Sequence, residues 1–239
     1  MNVSSLVPLV GISALLGGCV IETATGPVRY DSMHIDPDRS ELVHVRIRMG
    51  AGELKLGSGT SKLMQAYFTY NVPSWKPEVH YSAGELSIEQ PGSGSNHSWS
   101  PGHAGNTKYI WDLRFTRETP LDVSINLGAG EAQLDLGALD LRDVQVHMGV
   151  GQANMDLRGT PAHSYNVRIQ GGVGEATVRL PMNAGVYATA HGGIGEIQAR
   201  GLRKEGDHWV NDAYDRAKVQ VHVDVQGGIG QITLIGDSD

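Results

Sequence analysis

Val144-Gln-Val-His-Met-Gly-Val-Gly-Gln-Ala-Asn-Met-Asp-Leu157 reads as two short strands joined at a Gly-x-Gly corner. Val144, Val146, Met148 and Val150 alternate with polar residues or glycine, which is the period-two pattern of a half-buried strand. Past Gly151 the parity shifts by one, and Ala153, Met155 and Leu157 become the apolar set. Glycine permits such a shift because it reaches backbone angles that a Cβ forbids, so the strand can bend or bulge there.

The unit recurs. Gly50-Ala-Gly52, Gly128-Ala-Gly130, Gly172-Val-Gly174, Gly193-Ile-Gly195 and Gly228-Ile-Gly230 repeat Gly149-Val-Gly151, and Ser82-Ala-Gly-Glu85 is a weaker copy. Measured at the second glycine, the central corners stand 21, 23 and 21 residues apart. The outer spacings of 32, 46 and 35 read as coils with insertions, the 46 as two coils. A fixed period of this size marks a repeat architecture. With no helical pattern between the strands, the expected fold is all-β: a right-handed single-stranded β-helix, or β-solenoid. It would have about seven to eight coils over residues 41–236, stacked in parallel ~4.8 Å apart. The inward set includes Val144, Val146, Met148, Val167, Ile169, Val178, Val221 and Val223.

Three stretches depart from the repeat. Ala66-Tyr-Phe-Thr-Tyr-Asn-Val72 is a strand followed by a Pro-bounded turn, and residues 91–107 are the longest loop signal. Tyr109, Trp111, Leu113 and Phe115 then alternate onto one face, a bulky layer that suggests a differently built portion or a cap. Residues 201–218 are a last insertion, with a hairpin-like turn at Glu205-Gly-Asp207.

The formal charge of −7 argues against generic nucleic-acid binding, which needs a basic surface. A single cysteine excludes an intrachain disulfide framework. That cysteine closes Leu16-Gly-Gly-Cys19, after an apolar run of signal-peptide length at residues 1–18. The run is too short for a comfortable membrane span, and Met1-Asn-Val-Ser-Ser lacks the usual Lys or Arg. Leu16–Cys19 resembles the lipobox of bacterial lipoproteins, which implies cleavage before Cys19, lipid on its sulfur, and a tether over residues 19–40.

Candidate chemistry is sparse. Glu53, Glu85, Glu131, Gln152, Glu175, Glu196 and Gln231 each follow a corner. In register they form a ladder that either binds a cation through its carboxylates or caps corner N–H groups while facing water; the second reading is favoured because each corner supplies only one acid. His80, His97 and His103 lack nearby Cys or carboxylate at zinc spacing, so no metal site is expected. Trp75 and Trp99 fall in loops and are either a binding edge or a cap over the solenoid end. No nucleophile elbow, His-Glu-x-x-His or P-loop is present, and the Gly-x-Gly units lack the following helix of a nucleotide site.

The corners Gly-Ala-Gly-Glu, Gly-Val-Gly-Gln and Gly-Gly-Ile-Gly, with Leu136-Gly-Ala-Leu and Val178-Arg-Leu-Pro181, resemble the bacterial toast-rack domain. The resemblance covers 41–236 and is strongest from 121 onward. That domain forms the C-terminal part of cell-wall-active antibiotic response proteins and brings no catalytic motif. It implies a β-helix-like envelope domain linked to stress sensing or partner binding.

The expected protein is therefore a non-enzymatic lipoprotein of the bacterial cell envelope facing outside the cytoplasm. It would bind or scaffold an unidentified envelope protein or cell-wall component, in the envelope stress response on the family's precedent, with no cofactor and no nucleic acid. Two alternatives stand. One is a polysaccharide-active β-helix enzyme, favoured by a cleft gathering three or more acidic and basic side chains on one face. The other is a structural protein that self-associates end to end, favoured by flat, uncapped, apolar terminal coils.

Overall fold

The computed structural model describes residues 25–92 and 107–236. In chain order the strands are β1 (Arg29–Ile35), β2 (Val43–Ser58), β3 (Met64–Tyr70), β4 (Glu78–Ser82), β5 (Glu85–Glu89), β6 (Tyr109–Phe115) and β7 (Leu121–Asp135). They continue with β8 (Leu141–Asp156), β9 (Tyr165–Arg179), β10 (Gly185–Arg200), β11 (Arg203–Glu205), β12 (His208–Val210) and β13 (Gln220–Ile235). The described fold is all-β, an open solenoid not closed into a barrel.

Six long strands form the rungs, each bent at its Gly-x-Gly. They pair in parallel in the order β2-β7-β8-β9-β13-β10. The second corner glycines form one row: Gly52, Gly130, Gly151, Gly174, Gly230 and Gly195. All eight residues expected to face inward are buried. Alternation carries each strand half because one side faces the core and the other faces water.

Four expectations are corrected. Ser82-Ala-Gly-Glu85 is not a corner but a two-residue hairpin between β4 and β5, with positive φ at both Ala83 (49°) and Gly84 (84°). This is the signature of a type I′ turn, and it leaves six rungs rather than seven or eight. Stacking does not follow chain order, because β13 lies between β9 and β10. Residues 29–35, expected within the tether, are β1, paired antiparallel with β3. Val150, counted with the buried alternation, is exposed because the bend turns the middle residue of each corner outward.

Both ends are elaborated. At the first, β5 pairs His44–Arg48 and β6 pairs Glu53–Ser58, so two short strands share one edge of β2. Between them the corner amides of Gly50 and Ala51 donate to Gln90 Oε1 at 2.8 and 3.3 Å. Behind β6 the bulky layer packs as the sequence suggests, with Tyr109, Trp111, Leu113 and Phe115 all buried and Phe68 edge-on to Trp111 at 5.7 Å. At the other end, β12 pairs antiparallel with Tyr187–Thr189 of β10. Buried Asn211 holds the following turn by accepting from Val186 N (3.0 Å) and donating to Ala184 O (2.8 Å) and Pro181 O (3.3 Å).

Core filling changes along the stack. The inward position before each corner reads Met49, Leu127, Met148, then Gly171, Gly227 and Gly192. The three glycines leave a largely apolar cavity of ≈ 70 Å³ at the last rungs, bounded also by Ile197 and Ile232.

Candidate functional site

The outer corner is the most regular surface of the molecule. Each second glycine has a positive φ, between 135° and 151°. A Cβ on Gly130, Gly151, Gly174, Gly230 or Gly195 would stand 1.7–1.9 Å from the carbonyl oxygen of the rung below. First glycines are nearly as tight: a Cβ on Gly128 or Gly149 would lie 2.3 Å from the preceding rung's carbonyl oxygen. Backbone therefore stacks on backbone, and only the middle residue carries a side chain outward.

In spatial order those middle residues are Ala51, Ala129, Val150, Val173, Ile229 and Ile194. The ridge widens from methyl to sec-butyl along roughly 24 Å, five rung spacings. Its last four members are 53, 47, 51 and 71% exposed. Contiguous exposed apolar surface of this kind marks contact surfaces in soluble proteins. The graded residues are visible in the sequence, but strand parity alone puts Val150 inside and leaves the ridge unmarked.

Beside the ridge runs the Glu/Gln ladder: Glu53, Glu131, Gln152, Glu175, Gln231, Glu196. Glu85 is not part of it, since its hairpin is not a rung. The side chains do not cap corner amides, which the stacked rungs engage; at the β2 end of the stack Gln90 caps the Gly50 and Ala51 amides. Instead Glu53 pairs with Lys55 at 2.8 Å, Gln133 donates to Glu131 at 2.9 Å, and Gln152 donates to Glu175 at 3.3 Å. The Glu53 partner holds the Lys55 ammonium above its ordinary range. Among the described residues no group of three or more His, Cys, Asp or Glu is placed to hold a metal ion.

Trp75 ends a short 3-10 turn, Pro73–Trp75, and packs edge-on against Tyr109 at 5.6 Å. Its carbonyl accepts the Tyr109 hydroxyl at 2.7 Å. Burial pushes that hydroxyl well above the usual tyrosine range, so it remains a donor. Trp75 thus sits half-buried over the first end of the solenoid. Trp99, His97, His103 and Cys19 lie outside the described residues, and His80 lies on β4. Among the described residues no helix is long and apolar enough to cross a membrane.

Comparison with known proteins agrees with this architecture. The chain is similar over 88% of its length, and all of the other's, to the crystal structure of a provisionally named cell adhesion protein from Clostridium sporogenes, with 31% identity and a TM-score of 0.84. A provisionally named adhesin from Bacteroides fragilis aligns over 87% of this chain and 97% of its own, at 10% identity and a TM-score of 0.33, too distant to add to the fold assignment. No curated protein matches. The family described as the N-terminal domain of toast_rack, DUF2154, matches residues 24–179. That span takes in β1 and the first end rather than starting at 41, and it stops before β10 and β13. By this match and by its 31% identical structural relative, the chain belongs to the toast-rack family.

Proposed function

We propose that this chain is a non-catalytic binding protein of the bacterial cell envelope, held outside the cytoplasm by a lipid on Cys19 and making contact through its corner ridge. The observation that carries the reading is the graded Ala-Ala-Val-Val-Ile-Ile ridge on a rigid backbone spine. The adhesion naming of the 31% identical relative supports it. A part in envelope stress sensing belongs to the same reading, with ridge contact as the input. Self-stacking is disfavoured. A rung laid in parallel on β10 would need glycine opposite Gly195, and the other end presents β1 and β4, which contain no glycine.

The test is photo-crosslinking in intact cells. A photoreactive residue at Ile229 should give a discrete adduct that Cys19→Ala abolishes, and palmitate-analogue labelling should mark the wild-type chain alone. Unlabelled chain retaining Met1 in the cytosol overturns the anchoring. Adducts no different from those formed at exposed Tyr67 on β3 overturn the ridge as the contact surface.

A further inference from the structure

A second surface lies on the outer face of the other strand halves, near the β10 end. Register brings Asp143, Asn166, His222 and Tyr187 into one row, from β8, β9, β13 and β10. The next row holds Arg168, Asp224 and Thr189. The turn that Asn211 anchors places Tyr214 beside Tyr187, with ring centroids 5.9 Å apart. His222 meets Tyr187 edge-on at 5.7 Å, and His208 stacks on it at 4.4 Å. These side chains surround a groove of ≈ 230 Å³.

We infer that this groove binds a neutral pyranose ring of a polysaccharide. A pyranose has a C–H face that packs on an aromatic ring and a rim of hydroxyls that each donate and accept. The groove supplies both kinds of partner: Tyr214, backed by Tyr187, for the face, and planar carboxylate, amide and guanidinium groups for vicinal hydroxyls. Its volume is below the roughly 300–1,000 Å³ of drug-sized sites, which suits a single ring.

Rival ligands fit less well. Two carboxylates against one guanidinium leave the groove net negative, so a phosphate or uronate is repelled. A peptide cannot add as a strand, because each rung here is already paired on both sides.

Asp143, Arg168 and Asp224 meet the condition set above for a polysaccharide-active enzyme, but the two carboxylates are held for recognition. Asp224 accepts from Thr189 Oγ1 at 3.1 Å and Gln226 Nε2 at 3.0 Å, and Asp143 accepts from Gln145 Nε2 at 2.8 Å. A general acid needs instead an apolar setting that keeps its proton. The inference concerns a site separate from the ridge and stands or falls independently of the lipid anchor.

The test is saturation-transfer NMR on the full chain in a detergent without a sugar head group. The probes are the methyl pyranosides of glucose, galactose, mannose and N-acetylglucosamine, with glucuronate as the anionic comparison. At least one neutral ring should be saturated and glucuronate should not. Tyr187→Ala and Asp224→Asn should each weaken binding about tenfold. Tyr187→Phe should retain most of it, and Tyr67→Ala should leave it unchanged. Circular dichroism establishes that each variant folds. No transfer to any neutral pyranoside, or equal transfer in folded Tyr187→Ala, overturns the proposal. Release of reducing ends from cellopentaose overturns the assignment of the groove as a binding rather than a catalytic site.

Discussion

Gly230 lies directly on Gly174, although the whole of β10 separates them in sequence, and a Cβ on Gly230 would stand 1.7 Å from the Gly174 carbonyl oxygen. Its φ of 140° compounds the problem, since an L side chain rarely adopts that angle. Gly230→Ala should therefore cost about 3 kcal/mol or more, because the β13 and β9 rungs must part. Gly171, on the neighbouring rung, faces the cavity at the last corners, and its Cβ would meet nothing closer than 4.0 Å. Gly171→Ala should gain about 0.5–1 kcal/mol by restricting the unfolded chain and adding a methyl to empty space. Thermal unfolding of the two variants checks this, and equal losses at both sites would refute the backbone-stacking account.

The contrast shows where the sequence could be read. The corners, the alternation and the bulky layer at Tyr109–Phe115 were legible because each is a local periodicity imposed by a two-sided strand. Stacking order was not, since β13 and β10 carry the same Gly-Gly-Ile-Gly corner and local pattern cannot rank them. The Ser82–Glu85 hairpin mimicked a corner because a type I′ turn and a corner both demand glycine at positive φ. The sugar groove was invisible for another reason: Asp143, Asn166, His222 and Tyr187 come from four strands and meet only through register.

Gln90 carries the closure of the first end. Its Oε1 is the acceptor for the amides of Gly50 and Ala51, where β5 has ended and β6 has not begun. Gln90→Ala should cost about 1–2 kcal/mol, the penalty of part-buried donors left unmade. Gln90→Glu keeps an acceptor and should cost less. Hydrogen exchange should show Gly50 and Ala51 amides losing protection selectively in Gln90→Ala; unchanged protection there would remove Gln90 from the cap.

Asp156 makes a pH-dependent contribution at the end of β8. Burial works upward on its carboxyl, but hydrogen bonds from Arg158 outweigh burial and hold it below the usual range: side-chain bonds at 2.7–3.1 Å and a backbone N–H at 2.9 Å. A carboxyl lowered on folding stabilises the protein above its unfolded value, and the contribution fades as pH falls through the folded one. Asp156→Asn should therefore unfold at lower denaturant than wild type at pH 7, and the gap should close below about pH 4. A gap that persists at pH 2 would mean that side-chain packing, not charge, is what Asp156 contributes.

Gln231 tests the stacking order itself. In the observed arrangement it stands between Glu175 and Glu196, about one rung spacing from each. Gln231→Glu places three carboxylates in a row, and each neighbouring pair repels by about 1 kcal/mol in water. The variant should lose stability at low ionic strength and recover much of it at 1 M salt, where screening is short-ranged. The decisive comparison is the double variant. If β13 stacked outside β10, as chain order would have it, residue 231 would neighbour Glu196 alone, and Glu175→Gln would help the Gln231→Glu background no more than it helps wild type. With β13 between β9 and β10, Glu175→Gln and Glu196→Gln should each relieve part of the loss in the Gln231→Glu background, by similar amounts. Coupling to Glu196 but not to Glu175 would overturn the inserted position of β13.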